Sequence, residues 1–450
     1  MAQPFVDGRP RRRAIRTPFE PLAVAGLVGW IVLTTTYVAG GAQLVIAAAI
    51  AAFLADRLFS GRMPELGGKI GAWLLAYSAT LVLTTPTSIW LGPSIAAIQN
   101  QAKLLLMFFL VLGTASTAKR RDWFLGLTIV LLVLYPARGA LLAQLAGAVK
   151  VAGRANWRGL FGNANMLAAI LALFLPFAIV WARTARGTLR RLWWVGCAVI
   201  LTAACLSTQS RSGTLSLIVV LAWVLAAAKN RLRALALVAL VVMGAVAMSP
   251  ASVGERLSSI SYVITGERPP EEVQGDVGNA ESRILIWRAA LDIIADNPVL
   301  GVGPGTFEEA HRHYQQYVAW HAGALWIDTH NSFLRVWSET GTIGLVAFLG
   351  IFVVTFREGV RAIRALGRVG LGRGVDAQMV SAALAGLAAF LVSNVFNTFK
   401  DAWYLYLHLA FCVLFIDAAR RLAAESANRP MNVALSGAAR RVGSQRLSRR

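Results

Sequence analysis

Residues 166–182, MLAAILALFLPFAIVWA, form an uncharged apolar run that decides the class of this fold. A helix needs about 20 apolar residues to cross the hydrocarbon core of a bilayer. The run approaches that length, and similar runs recur along most of the 450-residue chain. The sequence therefore predicts a helical membrane protein with many spans.

The composition supports the same class. Hydrophobic residues make up 57% of the chain and charged residues 15%, against roughly 45–50% and about 25% in soluble domains. An ordinary soluble enzyme is therefore excluded. Cys197, Cys205 and Cys412 all lie in apolar runs, which indicates small packing residues and not a disulfide framework or a metal cluster.

Polar residues separate twelve apolar runs, so we predict an all-α polytopic protein with about twelve transmembrane helices. The candidate spans are 22–39, 42–55, 70–91, 101–118, 123–146, 166–182, 192–208, 213–228, 234–249, 340–356, 377–396 and 402–417. One large loop separates the ninth and tenth spans. The predicted organisation is a basic tail (1–21), nine spans (22–249), the loop with amphipathic helices (250–331), three spans (332–417) and a second basic tail (418–450).

The distribution of charge predicts the orientation. The chain carries 44 basic and 22 acidic side chains, a net charge of +22. With a cytoplasmic N-terminus, the inside segments hold 31 basic and nine acidic residues, and the rest of the chain holds 13 of each. Because positive residues are retained on the cytoplasmic side, both termini are predicted to be cytoplasmic and the large loop external. We interpret the basic tails as anchors to anionic lipid, with nucleic-acid binding as the alternative.

Two features of the large loop predict local structure. The segment SRILIWRAALDIIAD at 282–296 repeats apolar residues at helical spacing and stops at Asn297 and Pro298, which indicates an amphipathic helix. Its apolar positions are Ile284, Trp287, Leu291 and Ile294. The following GVGPGTF at 301–307 predicts a tight turn. A phosphate loop is disfavoured there, because no strand precedes it and no lysine follows.

Several arginines lie on the predicted external side without an obvious topological role. Arg211 stands in STQSRSG between the seventh and eighth spans, with no acidic residue for several positions on either side. Its planar guanidinium suits a phosphate, although a snorkelling arginine is the alternative. Arg158, Arg283 and Arg288 lie on the same side. Together they indicate an anionic, lipid-embedded substrate.

Four of the five histidines, His311, His313, His321 and His330, belong to the large loop. His330 precedes the tenth span, where an imidazole near the membrane surface is suited to proton transfer. A capping or solvent-facing histidine is the alternative. His311 and His313 could ligate a metal, but no cysteine or carboxylate constellation accompanies them. We therefore predict no metal site.

Four segments together resemble the O-antigen ligase and polymerase superfamily of bacterial membrane glycosyltransferases. They are NWRGLFGNANMLA (156–168), TQSRSGTLSL (208–217), SRILIWRAALDIIADNPVLGVGPGTF (282–307) and DTHNSFLRVWSETGTIGL (328–345). They occur in the family's order around one large loop. One departure is Ala164, which follows Asn163 where the family commonly has proline.

The resemblance implies an enzyme of the bacterial inner membrane whose active site faces the periplasm. Such an enzyme moves a glycan from undecaprenyl pyrophosphate to a hydroxyl acceptor without a metal or another cofactor. Carried onto this chain, it implies His330 as the catalytic residue and Arg211, Arg283 and Arg158 as pyrophosphate-binding residues. Arg283 is preferred to Arg288, since Trp287 follows it at the family's four-residue spacing.

Physical chemistry agrees with these roles. Arginines at a low-dielectric surface stabilise the charge that grows on a departing pyrophosphate, and a neutral histidine can accept the acceptor's proton in a single inverting displacement. Ligation of a glycan to the lipid A core is the leading interpretation. Polymerisation of lipid-linked repeats and glycosylation of a protein remain alternatives. A transporter of the same lipid would require broken helices or several deeply placed charges.

Overall fold

The computed structural model describes residues 17–36, 41–63, 65–146, 155–157, 159–248, 271–314 and 328–447, and helices are the regular elements of these ranges, which contain no strand. The α-helices are α1 (Phe19–Thr36), α2 (Ala42–Ser60), α3 (Gly68–Thr84), α4 (Leu91–Thr114), α5 (Ala118–Leu132), α6 (Arg138–Leu145), α7 (Ala164–Thr184), α8 (Thr188–Ser207), α9 (Arg211–Ala226), α10 (Arg231–Met248), α11 (Glu271–Asp296), α12 (Phe307–Tyr314), α13 (Ser332–Arg368), α14 (Val375–Asn394) and α15 (Trp403–Leu447).

The prediction of a polytopic helical membrane protein is confirmed, since each of the twelve predicted spans coincides with a helix. Eight helical stretches in the described ranges are long and apolar enough to cross a bilayer: α1, α2, α4, the continuous α5–α6 stretch, α7, α8, α13 and α14. Helices α3 and α9 are shorter, at 17 and 16 residues. The count of twelve and the cytoplasmic termini therefore stay predictions.

Helix α7, which contains the run quoted first, lies at the centre of the bundle. Sixteen of its 21 residues are buried, and it packs against α8, α9 and α14. The contact with α14 is close: a Cβ on Gly386 would lie 2.1 Å from the carbonyl oxygen of Leu173. An all-apolar surface lets α7 be surrounded by other helices, so it forms the central scaffold of the bundle.

Helix α13 is broken near its N-terminal end. Gly341 has φ +63°, and a Cβ there would lie 2.1 Å from the carbonyl oxygen of Val299. The backbone nitrogen of Thr342 donates to the carbonyl of Pro298 at 2.9 Å. The loop after α11 therefore fits into the break, and glycine is required because any side chain would displace that loop.

The predicted tight turn at 301–307 fills the same break. Its residues Gly301, Gly303 and Gly305 all have positive φ. The carbonyls of Ser338 and Glu339 accept hydrogen bonds at 3.0 and 2.9 Å from the backbone nitrogens of the turn. The turn thus satisfies carbonyls that an unbroken helix would have bonded internally.

Helix α11 confirms the predicted helix of the large loop but packs with a different face. Ile284 and Leu291 are 38% and 48% exposed. The apolar residues that form a small separate core are Ile286, Ala290, Ile293, Val302, Phe307 and Ala310. The predicted face was right for Ile294, which is 6% exposed, and wrong for the two exposed residues. The spacing rule weighed the large residues, whereas small alanines allow α12 and α13 to approach closely.

Candidate active site

Arg211 is the first residue of α9. The preceding Ser210 is the N-cap, and its hydroxyl oxygen accepts a hydrogen bond from the backbone nitrogen of Gly213 at 3.1 Å. Gln209, one residue earlier, has φ +50°. This sharp turn between α8 and α9 holds the arginine at a helix N-terminus, where the backbone dipole already favours an anion.

His330 stands in a similar position before α13. It has φ +48°, and the next residue, Asn331, is the N-cap of the helix. The side-chain oxygen of Asn331 accepts hydrogen bonds from the backbone nitrogens of Phe333 and Leu334 at 2.9 and 3.0 Å. A left-handed conformation is uncommon for a residue other than glycine and is often found at functional sites.

The turn between α14 and α15 holds these two helix ends together. Asn397 donates a side-chain hydrogen bond to the hydroxyl of Ser212 at 2.9 Å, and its carbonyl accepts from the backbone nitrogen of Ser332 at 3.2 Å. The hydroxyl of Ser332 donates to Asn394 at 2.5 Å. Because both asparagines are 2% exposed, this polar node fixes the start of α9 beside the start of α13.

Helix α11 brings the second arginine to the same place. The indole nitrogen of Trp287 donates to the carbonyl of Thr329 at 2.9 Å, directly before His330. Arg283 lies one turn earlier on the same face of α11, because residues four apart are neighbours on a helix. The spacing of Arg283 and Trp287 thus has a structural reason: the tryptophan docks the helix and the arginine reaches the histidine.

The start of α7 completes the arrangement. Asn163 is its N-cap and accepts from the backbone nitrogens of Asn165 and Met166 at 2.9 and 3.3 Å. The hydroxyl of Ser210 donates to the side-chain oxygen of Asn165 at 2.7 Å. The departure at Ala164 therefore falls on the first helical position, where proline is favoured but not required. Arg158, predicted to contribute from this segment, lies outside the described residues.

Electrostatic interactions link Arg283 to both Arg211 and His330. Burial lowers the pKa of Arg283 below its ordinary value, and the neighbouring charge of Arg211 lowers it further. Burial also lowers the pKa of His330; Asp328 opposes this shift and Arg283 adds to it. The predicted residues Arg211, Arg283 and His330 therefore meet at one site where two positive charges face a neutral imidazole.

A cluster of carboxylates around Arg335 lies next to His330. One oxygen of Asp328 (Oδ2) lies 3.8 Å from Nδ1 of His330, and the other (Oδ1) accepts a hydrogen bond from Arg335 at 2.8 Å. Arg335 also binds Glu308 at 2.5 Å and Glu339 at 2.8 Å. Glu308 reaches Arg335 because it directly follows the turn at 301–307. This one arginine therefore fixes the position of Asp328.

Three other candidate residues lie away from this site or differ in exposure. Arg288 is exposed on α11. His311 and His313 belong to helix α12, and their burial differs: His311 is buried, whereas the side chain of His313 is 73% exposed. Residues two apart on a helix face different directions. The described residues contain no group of three or more histidine, cysteine or carboxylate side chains placed to hold a metal ion.

Sequence reasoning did not find Asp328, Arg335 or Asn397. Asp328 could have been predicted from its place close to His330 in the sequence, since a carboxylate beside a histidine is a common orienting partner. Asn397 lies in a polar stretch between two apolar runs, NVFNTFKD at 394–401. Polar residues next to membrane spans usually make specific contacts. The sequence does not reveal which residue Asn397 contacts.

Residues 196–349 match the family model described as O-antigen ligase. This region begins within α8, ends within α13 and contains Arg211, Arg283 and His330. The match confirms the resemblance to the O-antigen ligase superfamily and supports a membrane glycosyltransferase of the ligase and polymerase type. No curated protein matches the chain.

Proposed function

We propose that this chain, with its O-antigen ligase region, transfers a glycan from undecaprenyl pyrophosphate to a hydroxyl group of the lipid A core. The reaction takes place on the periplasmic face of the bacterial inner membrane. The observation that carries the proposal is the meeting of Arg211, Arg283 and His330 at the adjoining ends of α9 and α13.

The arginine pair and the helix ends suit a pyrophosphate. Arg211 and Arg283 are close enough to lower the pKa of Arg283, a repulsion that a bound anion relieves. The N-termini of α7, α9 and α13 converge on the same place through Asn165 and Asn397. The dipoles of these helices favour negative charge at their N-termini. Arg158 is proposed as a third phosphate contact.

His330 is proposed as the base that activates the acceptor. A pKa below the ordinary value of 6.5 leaves the imidazole neutral at an external pH near 7. Nδ1 faces Asp328, so Nε2 is the nitrogen available to the acceptor hydroxyl. As the ring gains a proton, the carboxylate of Asp328 stabilises the imidazolium that forms.

The proposed step is a single displacement. The acceptor oxygen forms a bond to the anomeric carbon, and its proton passes to Nε2 of His330. The bond between the anomeric carbon and the phosphate oxygen breaks, and undecaprenyl pyrophosphate leaves with the electron pair. Arg211 and Arg283 stabilise the charge on that oxygen. Attack from the opposite face inverts the anomeric centre, and the arginines take the part that a divalent cation has in other glycosyltransferases.

In the proposed topology, Arg211, Arg283 and His330 face the periplasm. With twelve spans and cytoplasmic termini, the starts of α7, α9, α13 and α15 all face the periplasm. The 31 basic residues of the inside segments then lie in the cytoplasm, in agreement with the positive-inside rule. The lipid-linked donor reaches the arginines from the outer leaflet without leaving the membrane.

The test is an in vitro reaction of the purified protein with an undecaprenyl-pyrophosphate oligosaccharide, resolved on a gel with and without lipid A core. Glycan on the core, formed only when the core is supplied, is the expected result. A ladder growing on the polyprenyl carrier without core would instead establish a polymerase. Transfer only to an added protein acceptor would establish protein glycosylation. No transfer to any acceptor would refute the proposal.

A further inference from the structure

A cleft of about 250 Å³ opens between the end of α1, the start of α2, the middle of α4 and the start of α15. Its lining includes two tryptophans and four polar side chains. They are Trp30, Trp403, Gln43, Asn100, Lys103 and Asp401. Its size is near the lower end of small-molecule sites, which span about 300–1,000 Å³, and therefore suits one sugar-sized group.

Three polar side chains of the cleft are not used by the fold, whereas Asp401 pairs with Lys400 at 2.8 Å. Gln43, Asn100 and Lys103 make no side-chain hydrogen bond or ion pair with another residue in the part of the chain that the structure describes. All three belong to helices long and apolar enough to span the bilayer. Polar groups placed in spans without a structural partner usually contact a substrate.

The aromatic wall is well defined. The rings of Trp30 and Trp403 lie 4.4 Å apart between centroids and are tilted by 57°. Trp30, on α1, is 5% exposed. Its neighbours therefore fix this ring and the indole of Trp403 that packs against it. A rigid indole surface next to amide, carboxylate and ammonium groups matches the two kinds of surface of a sugar ring, its C–H face and its hydroxyls.

The cleft is connected to the active site through the turn between α14 and α15. Asn397 holds the starts of α9 and α13 together, and Thr398 contacts Thr329, the neighbour of His330, at 3.1 Å. Only three residues later, Asp401 enters the lining of the cleft, and Trp403 follows. A ligand in the cleft is thus held by the chain segment that positions the catalytic groups.

We propose that this cleft is a saccharide subsite that binds the sugar of the acceptor while its hydroxyl reaches His330. The proposal rests on the proposed function. A sugar ring stacks on the tryptophan pair and hydrogen-bonds Asn100, Lys103 and Asp401. An acyl chain would leave Asn100 and Lys103 unpaired, which is costly in a membrane. A simple anion would meet the carboxylate of Asp401.

The kinetic test compares Lys103→Met with Lys119→Met, the same substitution at an exposed position of α5. Loss of one hydrogen bond from a charged group predicts that the acceptor KM rises roughly tenfold or more in Lys103→Met. The donor KM and the rate at saturating acceptor stay unchanged, and Lys119→Met behaves as wild type. Asn100→Leu, which removes a neutral group, raises the acceptor KM by roughly fivefold. An unchanged acceptor KM in both cleft variants, or an equal rise in the donor KM, would overturn the proposal.

A binding test separates this proposal from the proposed function. Saturation-transfer NMR on the full-length protein uses two probes without turnover, the lipid-free core oligosaccharide and the free repeat-unit oligosaccharide. We expect saturation to reach the sugar C–H protons of at least one probe in wild type, His330→Ala and Lys119→Met, and to be lost in Lys103→Met. Absence of the signal in wild type, or its persistence in Lys103→Met and Asn100→Leu, would overturn the subsite even if the protein transfers glycan.

Discussion

Replacing Asp328 with asparagine tests how the site sets the basicity of His330. Asparagine keeps the shape of the side chain and can still accept the hydrogen bond from Arg335, which is 2.8 Å long in the native protein. The substitution therefore removes the negative charge 3.8 Å from Nδ1 of His330 and leaves the surrounding cluster in place. Because that charge favours the imidazolium, its loss lowers the pKa of His330 further below 6.5.

The size of the shift follows from the geometry. Two unit charges about 4 Å apart interact by about 1 kcal/mol in water and about 4 kcal/mol at an effective dielectric constant of about 20. The side chains of His330 and Asp328 are 43% and 35% exposed, so solvent screens the pair and the lower value applies. About 1 kcal/mol corresponds to about 0.7 of a pKa unit.

The assay is the pH dependence of kcat/KM, whose acid limb reports the pKa of the base in the free enzyme. For wild type, activity falls as the pH drops through a value below 6.5, where His330 becomes protonated. In Asp328→Asn this limb moves to lower pH by about 0.7 unit, and the plateau rate falls because the base is weaker.

Glu308→Gln is the matched control. It removes another carboxylate from Arg335 but does not contact His330, so its acid limb stays close to the wild-type position. The reasoning is refuted if the limb of Asp328→Asn is unmoved or moves to higher pH, or if Glu308→Gln moves it equally.

Three further predictions concern the supporting structure and the chemistry. Arg335→Met leaves the carboxylates of its cluster without a partner and should lower the free energy of unfolding by about 3–5 kcal/mol; an unchanged thermal unfolding temperature would contradict this. Trp287→Phe removes the hydrogen bond to Thr329 and should lower kcat/KM for the donor roughly three- to tenfold. The control Trp337→Phe loses an exposed bond to Thr342 and should leave kcat/KM unchanged. Equal effects of the two substitutions would show that Trp287 has no special role in anchoring α11. Transfer should survive EDTA, since the arginines neutralise the pyrophosphate, and loss of activity restored by Mg²⁺ or Mn²⁺ would show that a metal takes part.

Local sequence patterns were sufficient to predict much of the fold. The apolar run at 166–182 predicts the buried helix α7 because its surface has no polar side to expose. Glycines at 301, 303 and 305 predict the tight turn because each adopts a conformation that other residues avoid. Both features depend on residues close together in the chain.

The contacts that build the active site join residues that are far apart in the chain. Asn397 bonds Ser212 across 185 positions, and Glu308 reaches Arg335 only because the turn at 301–307 fits the break at Gly341. Such partners are chosen by packing, and a single sequence carries no signal for them. The buried face of α11 was missed for a related reason, since the neighbours of a helix decide which of its apolar residues are covered.

The most direct test of the central claim is single-turnover transfer by His330→Ala, with donor binding measured on the same preparation. The reaction is started from enzyme already loaded with undecaprenyl-pyrophosphate oligosaccharide, so that chemistry and binding are read separately. Loss of a general base predicts a transfer rate lower by about 10²–10⁴-fold, with donor binding retained through Arg211 and Arg283. A near-normal transfer rate in this variant would contradict the assignment of His330 as the base.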